Sequence, residues 1–117
     1  MNSIFRLAAA AFLAFAFAPA IANDFPTTAR VEYVLDCMKN SKAPANEMVY
    51  KCSCAVDNIA SKVKYDTWVD LSTVALGTTI AGERGGVIRD MKDGRKMIST
   101  YRDLQSKAKH ACFINED

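Results

Sequence analysis

Two cysteines one residue apart, Cys52 and Cys54, constrain the fold of this chain more than any other feature of its sequence. They lie in an amphipathic pattern in which Met48, Val56 and Ile59 recur with Cys52 at helical spacing. At about 100° per residue, Cys54 points about 200° away from Cys52, so the two side chains diverge and a bond between them is unfavourable. The pair therefore predicts one helix tied to two different parts of the chain.

The first 22 residues have the composition of a secretory signal peptide. Arg6 provides a short basic region, residues 7–18 are an unbroken run of Ala, Leu and Phe, and residues 20–22 form a small-residue cleavage site. The run is about a dozen residues, whereas a bilayer span needs roughly 20. We expect residues 1–22 to be removed before Asn23, with no membrane insertion afterwards and a periplasmic or secreted location.

The mature chain, residues 23–117, has the length of a single domain and an almost balanced charge. The full chain has 15 Lys and Arg against 13 Asp and Glu, and cleavage removes one base, Arg6. This balance argues against bulk nucleic acid or anionic lipid as a partner.

Hydrophobic periodicity predicts an all-α fold, a small bundle of four or five helices. The first helix has Thr28 as its N-cap and ends near Ser41, with an apolar stripe at Val31, Val34, Leu35 and Met38. The second runs from residues 44–46 to about Lys64. The third has Asp66 as its N-cap and ends at Gly77, and the last carries Met97, Tyr101, Leu104, Ala108 and Ala111. A further helical piece over residues 87–92 is either joined to the last helix or kinked away from it at Gly94.

All four cysteines lie in the mature chain, and an even number in a short exported domain is typical of a disulfide framework. The first two helices are joined by a short loop and therefore run antiparallel, which places Cys37 opposite Cys52 and leaves Cys54 for Cys112. The alternative joins Cys37 to Cys54 and Cys52 to Cys112, and differs by half a helical turn.

The five glycines are confined to 18 residues between Gly77 and Gly94. Residues 77–86 are predicted to be a glycine-rich loop, either a mobile linker or a partner-docking loop. A phosphate-binding loop is excluded, because no Gly-Lys-Ser/Thr ending follows. Bases outnumber acids between residues 83 and 109, and the candidate partner-binding residues are Arg84, Arg89, Lys92 and Arg95. The alternative for these bases is an ordinary solvated helix surface.

No catalytic pattern is present, so we expect a protein that is not an enzyme and holds no cofactor. The alternative function is a metal or redox carrier, in which Cys52, Cys54, Cys112 and the single histidine, His110, supply soft ligands for copper or zinc. The C-x-x-C spacing of metal and redox sites and the C-x-x-C-H of haem attachment are both absent from the sequence. Structural disulfides are therefore the favoured interpretation.

Residues 33–38 (YVLDCM), 50–57 (YKCSCAVD) and 111–113 (ACF) carry a family resemblance. The chain resembles the small cysteine-containing periplasmic proteins of proteobacteria that accompany quinoprotein (PQQ-dependent) alcohol dehydrogenase systems. The resemblance covers nearly the whole mature chain and implies an accessory role, without assigning binding residues. We therefore expect an accessory protein that acts by contact with a periplasmic protein partner and supports a periplasmic oxidoreductase.

Overall fold

The computed structural model describes residues 23–39, 41–80 and 82–115, except for the side chain of Arg84, and the predicted signal peptide lies outside these ranges. Five helices occupy them: α1 (Thr27–Lys39), α2 (Ala45–Ala60), α3 (Tyr65–Gly77), α4 (Glu83–Arg89) and α5 (Gly94–Ala111). These residues contain no β-strand. The all-α prediction is thereby confirmed.

Helix α2 is the centre of the bundle. It packs against both α1 and α5, while α3 packs against α5 and the short α4 contacts both α3 and α5. The face predicted from periodicity is the buried one, since Met48, Cys52, Val56 and Ile59 are all buried. Ala108 and Cys112 of the α5 end complete the core against it.

The residues just before α1 are part of the core. Phe25 is only 6% exposed and packs edge-on against Tyr65, with ring centroids 5.3 Å apart. Asp24 accepts the backbone N–H of Tyr65, the first residue of α3, at 3.1 Å from each carboxylate oxygen. Asp66 was the predicted cap of α3, and this prediction is wrong: Asp66 lies in the first turn, and the acceptor comes from Asp24, far away in sequence.

Three other helix boundaries differ from the predicted ones. Helix α1 begins at Thr27, so Thr28, its predicted N-cap, lies inside the first turn. Helix α2 ends at Ala60 rather than near Lys64, because the N–H groups of both Lys62 and Val63 turn back to the carbonyl of Ile59. The predicted piece at residues 87–92 is a separate helix, α4, which begins earlier, at Glu83, and is followed by a turn before α5.

The predicted glycine-rich loop at residues 77–86 is helical at its two ends, while residues 78–80 and 82 form a turn between α3 and α4. Gly77 is the last residue of α3, and Gly85 and Gly86 lie inside α4; Gly82, at the start of α4, has φ of 85°. A Cβ atom on Gly85 would lie 1.9 Å from the carbonyl oxygen of Ile80. Gly85 therefore permits close packing of α4 against the preceding turn.

We expect Gly85→Ala to destabilise the fold by about 1–3 kcal/mol, because the added methyl group has no space against backbone atoms. Gly86→Ala is the matched control in the same helix, since the nearest atom to its added Cβ is the end of the Arg89 side chain, at 3.9 Å. The control should gain about 0.5–1 kcal/mol from helix propensity. Urea denaturation of both variants measures the difference, and equal stabilities would contradict the packed position of α4.

Candidate functional site

The Cys-x-Cys pair sends two disulfides from α2 to different helices. Cys52 is bonded to Cys37 of α1, with their Cα atoms 5.9 Å apart, and Cys54 is bonded to Cys112 at the end of α5, at 5.8 Å. This is the pairing that the antiparallel hairpin predicts, and the half-turn alternative is not formed. The two bonds indicate folding in an oxidising compartment.

The soft-ligand site of the carrier hypothesis is not assembled in this structure. Cys52, Cys54 and Cys112 are all in disulfides, and His110 is exposed in the last turn of α5. Across residues 23–39, 41–80 and 82–115, no group of three or more histidine, cysteine or acidic side chains is placed to hold a metal ion. Metal or thiol exchange at the Cys-x-Cys pair would first require reduction of both bonds.

Aromatic side chains from three helices and the N-terminal segment form a cluster at the edge of the core. Trp68 stacks on Tyr101 with ring centroids 5.0 Å apart, and Tyr33 meets Trp68 edge-on at 6.1 Å. Both Trp68 and Tyr101 are half-buried, because an open groove of about 360 Å³ lies beside them. Tyr65 and Phe25 complete this aromatic cluster.

A hydrogen-bonded chain ties α1 to α5 at the aromatic cluster. The Tyr33 hydroxyl donates to Oε1 of Gln105 at 2.7 Å, and Nε2 of Gln105 donates to the Tyr101 hydroxyl at 3.0 Å. Burial, reinforced by Tyr101, raises the pKa of Tyr33 to about 12. Tyr33 therefore keeps its proton at neutral pH and serves as a fixed donor between the two helices.

The predicted partner-binding bases lie on α4 and on either side of the turn that follows it. Arg89, Lys92 and Arg95 are exposed, and Nη1 of Arg89 donates to the carbonyl oxygen of Thr78 at 3.3 Å. Arg84 is part of α4, but its side chain is outside the described part. The structure therefore brings three of the predicted bases to one end of the bundle, where Arg89 also holds α4 to the end of α3.

Large apolar side chains accompany these bases, and sequence reasoning missed them. Val87 and Met91, four residues apart, are 70% and 46% exposed. Ile80, just after α3, is 48% exposed, whereas the exposed Leu76 lines the groove beside the aromatic cluster. We call Ile80, Val87 and Met91, together with Arg89, Lys92 and Arg95, the α4 surface. Met91 lies beyond the last residue of α4, so no helical spacing in the sequence marks this surface.

A second apolar surface lies on α1, which has no buried residue. Val31 and Leu35 of the predicted stripe are 52% and 62% exposed, and an apolar groove of about 520 Å³ runs between α1 and α2. The Cys37–Cys52 bond turns Cys37 towards α2, so Leu35, two residues earlier, is turned outward. Of the predicted stripe, Val34 packs against the core, and Tyr33 joins it there.

Comparisons with known proteins return no relative of this chain. No family model matches the sequence, and neither the curated proteins nor the solved structures contain a match. In the part of the chain that the structure describes, no helix has both the length and the apolar character needed to cross a bilayer.

The raised pKa of Tyr33 predicts a loss of stability in alkali. Between pH 10 and about pH 12 the unfolded chain has lost the Tyr33 proton and the folded protein still holds it, so stability falls as the pH rises through this window. We expect a contribution of about 1–2 kcal/mol, since partial exposure to solvent screens the full effect.

Urea denaturation between pH 9 and about pH 12 measures this slope. Tyr33→Phe should make the slope shallower, and it should lower stability at neutral pH by about 1 kcal/mol through loss of the bond to Gln105. Tyr50→Phe, at a residue 78% exposed, is the control and should leave the slope unchanged. Identical slopes for wild type and Tyr33→Phe would contradict the assignment.

Proposed function

We propose that this protein is a non-enzymatic accessory protein of the periplasm that acts by binding another protein. The disulfides fit an oxidising compartment, and the predicted signal peptide fits export to it. The family resemblance in residues 33–38, 50–57 and 111–113 supports a periplasmic oxidoreductase as the system that it serves.

The observation that carries this proposal is the composition of the α4 surface. Three large apolar side chains, Ile80, Val87 and Met91, are left exposed in and beside α4, and the exposed Arg89, Lys92 and Arg95 lie in the same stretch of the chain. Exposed apolar side chains grouped in this way, with a polar rim, are typical of protein interaction sites. The surface is also held firmly, since Gly85 packs on Ile80 and Arg89 bonds to Thr78.

The charges of the α4 surface favour an acidic partner. Lys92 and Arg95 are exposed on the turn before α5 and in its first turn, and Arg89 lies at the end of α4. Glu83, Asp90 and Asp93 lie nearby, so the local excess of positive charge is small. Such rim charges mainly raise the rate of association with an oppositely charged surface, while the apolar centre supplies the affinity.

The metal or redox carrier remains the alternative function, and one observation bears on it. Cys54 is exposed, whereas its bonded partner Cys112 is only 2% exposed. A carrier must cycle through a reduced form with free thiols, so titration of free thiols in the protein purified from the periplasm distinguishes the two functions. An accessory protein should show none.

The docking role of the α4 surface is tested by charge reversal. Lys92→Glu combined with Arg95→Glu should reduce the recovery of specific periplasmic proteins on the immobilised mature chain by about tenfold at low salt, and by less at high salt. The folded state should be unharmed, because a negative charge at position 95 lies in the first turn of α5, where the helix dipole favours it. Quantitative mass spectrometry of the bound fraction measures the change.

Lys62→Glu provides the control, since Lys62 is also exposed and also lies in a turn between helices. It should leave recovery at the wild-type level. If the Lys62 variant loses the same proteins as the Lys92 and Arg95 variant, binding follows net charge alone. That outcome, or no loss in either variant, would refute docking at the α4 surface.

A further inference from the structure

The groove of about 360 Å³ beside the aromatic cluster has the size and the lining of a small-molecule site. Small ligands bind in clefts of about 300–1,000 Å³ that combine aromatic surface with a few polar groups. Val69 and Leu76 of α3 add exposed apolar surface to the groove. Four half-buried aromatic side chains from α1, α3 and α5 also line it: Tyr33, Tyr65, Trp68 and Tyr101. The polar groups among them indicate which ligand the groove would take.

Two carboxylates give this groove an excess of negative charge. Glu32 and Asp36 both line it, and their spacing of four residues on α1 separates them by about 6 Å along the helix axis. Among the residues that the structure describes, Glu32 makes no ion pair, and Asp36 has only a pairing with Lys39 at 3.7 Å between largely exposed groups. Lys109 is the one base among the lining residues, so acids outnumber bases. Like charges at this spacing destabilise a helix slightly, and a bound cation would remove the repulsion.

Two of the hydroxyl groups that line the groove present only acceptor atoms to a ligand. The Ser72 hydroxyl donates to the carbonyl oxygen of Val69 at 3.0 Å, and the Tyr33 hydroxyl donates to Gln105. A hydroxyl whose proton is engaged in this way can make a further hydrogen bond only as an acceptor. Together with the two carboxylates, these oxygens favour a ligand that carries several N–H donors and a positive charge.

From this combination we propose that the groove binds a linear aliphatic diamine. The two ammonium groups pair with Glu32 and Asp36, whose separation of about 6 Å along α1 matches the distance between the nitrogen atoms of extended 1,4-diaminobutane. The methylene groups pack on the aromatic rings, which also attract cations through their faces. A ligand with a single charge leaves one carboxylate unpaired, and a neutral ligand leaves both. The site is independent of the proposed function, since none of the residues that line the groove belongs to the α4 surface.

Trp68 provides a direct readout of binding, because it is the only tryptophan in the sequence. Its indole N–H therefore gives one signal in a proton–nitrogen correlation NMR spectrum of the purified protein. Addition of 1,4-diaminobutane at neutral pH and constant ionic strength should shift this signal until the site is saturated. Butylamine should bind about threefold to fivefold more weakly, because it forms one exposed ion pair instead of two. 1,4-Butanediol, which lacks the charges, and magnesium chloride, which lacks the methylene chain, should leave the signal in place.

Removal of the two carboxylates tests where the ligand lies. Glu32→Gln combined with Asp36→Asn should abolish the preference for 1,4-diaminobutane over butylamine, and the fold should be kept because the change removes a like-charge pair. Asp70→Asn is the matched control and should bind as wild type does, since Asp70 is also exposed and lies two residues from Trp68 but does not line the groove.

Three results would overturn the proposal. The first is a wild-type indole signal that stays in place up to about 20 mM 1,4-diaminobutane. The second is a signal that responds equally to butylamine or to magnesium chloride, because the site would then recognise charge alone. The third is a double variant that keeps the wild-type preference for the diamine, because the ligand would then lie away from Glu32 and Asp36.

Discussion

The orientations of α1 and α5 around α2 are fixed by two disulfide bonds that leave α2 in different directions. Cys52 and Cys54 are separated by about 200° around the helix, so one bond fixes α1 and the other fixes the end of α5. The closed loops of 15 and 58 residues correspond to about 3 and about 4 kcal/mol of lost chain entropy in the unfolded state. For a domain whose large fully buried side chains are Ile59, Val56 and Cys52, this contribution is substantial.

The exposure of the apolar row of α1 follows from this constraint. With Cys37 held towards α2, Tyr33 reaches Gln105 and Trp68, and the row that contains Val31 and Leu35 is left facing outward. Helix α4 exposes Val87 for another reason: the helix is short, and it packs on the turn after α3 through Gly85 and on Gly77 of α3 through Ile88. A small bundle fixed by disulfides can keep apolar side chains exposed without loss of its fold, and this suits a protein that works by contact.

Local patterns in the sequence were enough to predict some of these features. The periodicity of α2 identified its buried face, and the short loop before it implied the antiparallel hairpin that pairs Cys37 with Cys52. Other features depend on contacts between residues far apart in the sequence, so no local sequence pattern predicts them. Asp24 caps α3 from 41 residues away in sequence. Gly85 is needed because the Ile80 carbonyl oxygen lies where a Cβ atom would be, and the position of that carbonyl is set by the turn before α4. The α1 stripe has the periodicity of a core-facing helix, and only the disulfide shows which way it is turned.

The disulfide connectivity of the purified protein is the most direct test of this fold. Trypsin leaves Cys52 and Cys54 on one peptide, residues 52–62, so a digest alone cannot assign the bonds. Partial reduction in acid, with one alkylating reagent before full reduction and a second after it, labels the cysteines in bonded pairs. The structure predicts that Cys37 is always labelled with Cys52, and Cys54 with Cys112. Labelling of Cys37 with Cys54 would contradict it, because α1 would then be rotated and its apolar face would no longer be the one described.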